Sequence, residues 1–221
     1  MTNGANMIGL TVCVNYAAEL AVTLPVWRDS LESLVVVTIA DDRDTMQLCL
    51  RAGVGVYRTD AFTRDGAAFN KGRAMNEAIG SMLTRPQWLC VFDADILPPA
   101  DWRAATAGIE AGNLYGAARW QDGITPISDP PDEMPGFFWL FHTRDLHLPR
   151  DPTFTSWQHA GNFDTVFKDH WPPANRIKLS IRLNHLGQPG QHWHGRGNRQ
   201  KMLDMYAERE RRGGDWRHEA I

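Results

Sequence analysis

Along the chain, short apolar runs alternate with segments in which apolar residues recur every three or four positions. Leu10–Asn15, Leu34–Asp42, Gly55–Thr59 and Gln87–Asp93 read as buried strands, the second of them rich in β-branched residues. Between them, Leu20, Leu24, Trp27 and Leu31 stand at helical spacing, with Pro25 expected to kink or delay that helix. Asp44–Val54 reads as a short helix with Asp44 as its N-cap and Gly53 at its end. Lys71–Leu83 is a strong helix in which Met75, Ala78, Ile79, Met82 and Leu83 share one face. After Pro99 the pattern is less regular. Pro135–His142 reads as a strand, His159–Pro172 as a loop entering a short helix, and Ile177–Gly187 as a strand that reaches its end at Asn184-His185. Gln188–Gln200 is a polar, His- and Arg-rich loop before a last helix. This alternation predicts an α/β sandwich around a mainly parallel sheet. Ligands of such sheets collect beyond the carboxyl ends of the strands. Three predicted strands end there in polar residues, Asn15, Asp41-Asp42 and Asp93 with Asp95, which places these on one rim.

The strand end at Asp93-Ala94-Asp95 poses a chemical question. Two carboxylates closing a buried apolar run are costly unless something compensates them. Asp-x-Asp at a strand end can hold a divalent cation, and hard oxygen ligands suit Mg²⁺ or Mn²⁺, which keep waters and bridge to a diphosphate. An Asp after a strand is also a common turn or capping residue, so the pair alone leaves both readings open.

Composition narrows the picture. The chain has 221 residues, 43% of them apolar and nine of them Trp, enough for one large domain with a sizeable core. Its apolar runs are shorter than the ~18 residues a membrane helix needs. The first residues carry neither a basic stretch nor a small-residue cleavage site, so a signal peptide is not expected. Cys13, Cys49 and Cys90 lack metal-ligand spacing and read as buried reduced thiols of a cytoplasmic protein. The net charge of −3 hides an acidic body and a basic end, since residues 176–221 hold 10 Lys/Arg against 5 Asp/Glu. That end points to an anionic ligand or partner, or to a solvated helix in which Glu208 and Arg212 pair one turn apart.

The segments "VVVTIADDRD", "FNKGRAMNEAI" and "VFDADILPP", in that order, resemble GT-A glycosyltransferases near the family 2 and galactosyltransferase-like groups, and small bacterial and phage members among them. "GFFWLF", "GNFDTVF" and "HLGQPGQHWHGR" look like the second half of that superfamily, so the likeness spans residues 9–196. It implies a GT-A (Rossmann-like) three-layer sandwich with a mainly parallel mixed sheet, forming a single domain. Residues 9–100 would bind the nucleotide sugar, 101–196 would serve the acceptor, and 197–221 would form a basic C-terminal helix and tail. Asn15 and Asp41 would lie at the nucleoside, with Asn70, Lys71 and Arg73 lining the sugar-nucleotide pocket. Asp93 and Asp95 match the metal and diphosphate motif, His185 the place of a further metal ligand, and Asp164 the base of inverting members. Many relatives carry a second acidic residue just before that base, where this chain has Asn162 or Phe163. Trp193 and Arg196 are candidate acceptor or phosphate contacts.

The implied reaction moves a sugar from a nucleoside diphosphate sugar, UDP-linked by analogy, to an acceptor hydroxyl, with Mn²⁺ or Mg²⁺ as cofactor. The acceptor would be a glycan, a small molecule or DNA carrying a hydroxymethylated base. Each residue also has a simpler role: Asp41 could open a loop, Lys71 and Arg73 could be an exposed first turn, and Asp164 could cap a helix. His185, His192 and His194 invite a zinc site, but a loop of Gly and Pro separates the first from the others and no Cys lies nearby. A nucleotidyltransferase is the rival enzyme, although the segment after the first strand has no Gly-rich phosphate loop. A non-catalytic nucleotide-sugar-binding module is the non-enzymatic alternative.

Overall fold

A computed structural model of the chain describes residues 6–82, 87–121, 123–127, 134–149, 153–154 and 163–187, with the backbone alone at 163–165. Among the described residues nine strands form one mixed sheet: β1 (Met7–Val12), β2 (Ser33–Thr38), β3 (Gly55–Arg58), β4 (Trp88–Asp93), β5 (Ile96–Leu97), β6 (Leu114–Gln121), β7 (Thr125–Ile127), β8 (Phe138–His142) and β9 (Arg176–His185). Their order is β3-β2-β1-β4-β8-β6-β9-β5, with β7 added on β6. The first four strands in this order pair in parallel, β8 runs antiparallel between β4 and β6, and β6 and β9 pair in parallel again.

Alternation along the strands separates two cores. Cys90 and Phe92 of β4 and Phe138 and Leu140 of β8 face α1 (Ala17–Ser30) and α2 (Arg43–Ala52). Leu89 and Val91, with Trp139 and Phe141, face α3 (Lys71–Met82) and α4 (Phe163–Lys168). The result is the expected three-layer α/β sandwich.

Several boundaries differ from the sequence reading, each for a local reason. Helix α1 runs through Pro25, which lies on the exposed face beside exposed Ala21, so solvent can meet the carbonyl that lacks its N–H partner. The N-cap of α2 is Asp42 and not Asp44: its carboxylate accepts from the Thr45 N–H at 3.1 Å, and Asp44 takes a first-turn position that complements the helix dipole. Gly53 ends α2 as expected, in the left-handed conformation at φ 67°. Strands β1 and β2 stop at Val12 and Thr38, so Asn15, Asp41 and Asp42 sit in the loops beyond them. The run from Leu114 to Gln121, unassigned from sequence, is strand β6, and Ile96-Leu97 forms the two-residue β5.

Among the described residues no helix is long and apolar enough to cross a membrane. All three cysteines are buried thiols outside any disulfide, and burial pushes Cys49 up to about 11.

The far end of the sheet yields one pH prediction. The half-buried His142 ring meets Trp88 edge-on at 5.4 Å, and its Nδ1 accepts from the Arg144 N–H at 3.3 Å. Burial, helped by the charge of Arg144 and opposed by Asp145, holds His142 below its ordinary value of 6.5. The unfolded chain therefore takes up this proton first. Its contribution to stability is full above the ordinary value and is lost as pH falls below it towards the depressed folded value. His142→Gln should flatten that loss, measured as melting temperature against pH; an unchanged slope would refute it.

Candidate functional site

The rim beyond β1, β2 and β4 is built on one buried carboxylate. Asp42 is 3% exposed and accepts from the Asn15 N–H (2.6 Å), the Thr38 hydroxyl (3.1 Å) and the Thr45 N–H (3.1 Å). It ties the loop after β1 to the start of α2. Asn15 is held there in the left-handed region at φ 53°, with its side chain exposed. The two acids expected at the end of β2 thus divide: Asp42 is structural, and Asp41 is exposed towards solvent.

A second cluster gathers at the start of α3. Asn70 is fully buried; its N–H donates to the Phe62 carbonyl at 2.7 Å and its Oδ1 accepts from the Arg73 N–H at 2.9 Å. The Oδ1 contact orients the amide, so the buried Nδ2 is left as a donor without a hydrogen-bond partner among the described residues. Such a donor is costly until an acceptor reaches it. Lys71 donates to Asp93 at 2.6 Å, bridging the helix start to the end of β4. The Arg73 guanidinium bonds Asp65 at 2.9 Å and the Arg64 carbonyl at 3.3 Å, while Arg64 pairs with Asp60 and Glu77. Arg73 therefore holds the loop before α3 in place.

The turn Asp93-Ala94-Asp95 is pinned from both sides. The Thr23 hydroxyl donates to the Ala94 carbonyl at 2.6 Å, and the Trp27 indole N–H donates to the Ile96 carbonyl at 2.7 Å. The Asp95 carbonyl accepts from the Leu186 N–H at 2.9 Å, and the Asp93 N–H donates to the Phe137 carbonyl at 2.9 Å. Strand β5 then pairs antiparallel with the end of β9, Ile96 opposite His185. Two residues far apart in sequence are thereby joined: Asp95, 1% exposed, and His185, 3% exposed, approach to 3.6 Å between Oδ2 and Nε2. The Tyr16 hydroxyl donates to the same Asp95 oxygen at 3.0 Å.

A separation of 3.6 Å is too long for a hydrogen bond. Neighbouring ligands of one octahedral Mg²⁺-like ion, each about 2.0–2.1 Å from it, lie about 2.9 Å apart, so an ion there would draw the two side chains slightly closer. The carboxylate oxygen suits Mg²⁺ or Mn²⁺, and a neutral imidazole nitrogen is a common metal ligand. The residues present therefore fit a divalent cation between Asp95 and His185. Among the described residues no three His, Cys, Asp or Glu side chains converge, and Asp93 is engaged by Lys71.

Asp164 is the second residue of α4 rather than its N-cap, and its side chain lies outside the described residues. Trp193 and Arg196 lie outside them altogether, as do His192 and His194. Sequence reasoning missed Tyr16 and Gln121, which contact Asp95 and His185 respectively. Tyr16 was within reach, since it directly follows Asn15; Gln121 was not, because its strand had no clear period.

No family model matches the chain, and no curated protein matches it in sequence. Solved structures do match in three dimensions. The glucosyl-3-phosphoglycerate synthase of Mycobacterium tuberculosis, bound to phosphoglyceric acid, aligns at a TM-score of 0.58 and 12% identity over 84% of this chain and 74% of that one. The same enzyme with Mn²⁺, UDP-glucose and phosphoglyceric acid aligns at 0.57 and 12% over 92% and 79%. The mannosyl-3-phosphoglycerate synthase of Rubrobacter xylanophilus gives 0.55 and 13% over 95% and 75%. The inositol-1-phosphate CTP transferase of T. maritima gives 0.54 and 8% over 84% and 91%. At these identities the likeness is one of fold, and the fold is the GT-A-like α/β sandwich expected from the sequence.

Proposed function

We propose that the chain is a metal-dependent glycosyltransferase that moves a sugar from a nucleoside diphosphate sugar, UDP-linked, to an acceptor hydroxyl with inversion. The observation that carries this reading is the meeting of Asp95 and His185 at 3.6 Å on a pinned turn at the carboxyl end of the sheet. A fold shared with an enzyme solved with Mn²⁺ and UDP-glucose supports it. Asp95 and His185 would hold Mn²⁺ or Mg²⁺. A cation bound there supplies Lewis-acid neutralisation of the leaving diphosphate. Lys71 and Asp93 would flank the diphosphate and ribose, and the unmatched Asn70 amide donor would reach the donor sugar or phosphate. Asn15 and exposed Asp41 would border the nucleoside. Asp164 would take the proton of the acceptor hydroxyl as it attacks. Trp193 and Arg196 would contact acceptor or phosphate. The three buried thiols support a cytoplasmic setting.

The test is nucleotide release from UDP-, GDP- and TDP-sugars with Mn²⁺, without and then with acceptors. Binding and slow metal-dependent hydrolysis of one donor is the expected result. A chain that neither binds nor turns over any of them refutes the reading. Asp164→Asn should keep donor binding and lose transfer by about 10²–10⁴-fold; retained transfer would remove Asp164 as base. The acceptor classes are a glycan, a small molecule and a hydroxymethylated base of DNA, and only the last predicts affinity that falls steeply with salt. The neighbouring CTP transferase keeps a nucleotidyltransferase reading in view. Release of pyrophosphate from a nucleoside triphosphate, rather than of a nucleoside diphosphate from a sugar donor, would select it.

A further inference from the structure

We propose that Gln121 is a positioning residue for His185: it holds the ring as the tautomer protonated on Nδ1, leaving the Nε2 lone pair beside Asp95. This rests on the metal site proposed above and adds a residue to it.

Two hydrogen bonds orient the Gln121 amide. Its Nε2 donates to the Gly187 carbonyl at 2.7 Å and to the His185 carbonyl at 3.3 Å. The opposite atom, Oε1, is then an acceptor, and it lies 3.3 Å from His185 Nδ1. A carbonyl oxygen facing a ring nitrogen requires the proton on that nitrogen. A neutral His185 therefore carries Nδ1–H and presents Nε2 as a lone pair towards Asp95 Oδ2, 3.6 Å away. A lone pair facing a carboxylate is relieved by a cation between them or by a proton on Nε2. Metal-bound histidines are commonly fixed by such a second contact on the other ring nitrogen.

The sheet builds this contact deliberately. Strand β9 follows β6 in register up to Ala117 opposite Leu179, then skips to Ala118 opposite Arg182. That bulge brings His185 opposite Gln121. Without the bulge Leu183 would stand there, and the glutamine would face an apolar side chain.

Two substitutions isolate the acceptor. Gln121→Met and Gln121→Glu both lose the amide donation to Gly187 and His185, but only Glu keeps an oxygen towards Nδ1. The tautomer is read by long-range ¹H–¹⁵N NMR of the metal-free, ¹⁵N-histidine-labelled full chain at about pH 8, where an ordinary His is neutral. His185→Gln identifies the resonance. Mn²⁺ affinity is read separately by electron paramagnetic resonance. The wild-type chain and Gln121→Glu should show Nδ1–H. Gln121→Met should shift the ring towards Nε2–H, hydrogen-bonded to Asp95, and weaken Mn²⁺ binding about 10–100-fold. A wild-type ring protonated on Nε2, or a Met variant with unchanged tautomer and affinity, overturns the proposal. Wild-type protein that shows Nδ1–H but binds no Mn²⁺ overturns the metal site while supporting the hold of Gln121 on the ring.

Discussion

Replacing Asp95 by Asn is expected to abolish metal-dependent nucleotide binding and to lower turnover on the order of 10³-fold, while the chain stays folded. Asn has the same shape. Its side-chain oxygen can still accept from the Tyr16 hydroxyl, which lies 3.0 Å from the carboxylate in the native turn. The backbone bonds of the turn, to Thr23, Trp27 and Leu186, do not involve the side chain. What is removed is one negative charge at a buried position, and with it the main reason for a cation to settle there. Calorimetric titration with Mn²⁺ and UDP, alongside a thermal melt, separates the two effects. Mn²⁺-dependent UDP binding within a few-fold of the native value would place the metal elsewhere and reject the assigned role of Asp95.

Trp27→Ala should cost about 3–5 kcal/mol of stability, a large share of the roughly 5–15 kcal/mol of a typical domain. The fully buried indole stacks on Phe92 with ring centroids 3.9 Å apart, and packs against Trp102 at 5.1 Å and Phe138 at 6.1 Å. Its N–H also closes the Ile96 carbonyl, so truncation opens a cavity and strands a buried acceptor on the turn that carries Asp95. Trp27→Phe keeps most of the apolar ring and loses only that bond, and should cost about 1–3 kcal/mol. Urea unfolding measures both. A Trp27→Ala cost below about 1 kcal/mol would show that the aromatic cluster does not anchor α1 to the sheet.

The first half of the fold was legible because its signals are local. Runs such as Val35–Val37 and Leu89–Phe92 have no other reasonable conformation, and Lys71–Met82 carries a clear helical face. Burial could not be read at the same level. Asp41 and Asp42 look alike in sequence; only the fold shows that one is exposed and the other ties three backbone segments together. Arg73 likewise reads as a cation near an anion site, yet its charge is met by Asp65. The second half resisted because its order is set by long-range pairing. Strand β6 has a short buried stretch followed by exposed Ala118 and half-buried Arg119 and Trp120, so it shows no clean period of two. Gln121 at its end acquires meaning only from what stands opposite it on β9.

That dependence on β9 has a consequence for how the chain matures. The parallel strands β1 to β4 and their helices form from contacts within the first ninety or so residues, and they supply the Asp95 side of the rim. His185 arrives with the last described strand, which must slot between β6 and β5. Pairing across so long a span of chain is among the slower steps of folding. A nascent chain that has not yet emerged past residue 187 can therefore present part of the sheet with one half of the proposed cation site. Capture of a divalent cation is then tied to completion of the sheet. On the proposed metal site, added Mn²⁺ would favour the chain that has completed β9 over shorter precursors, which would make the metal a late checkpoint on assembly.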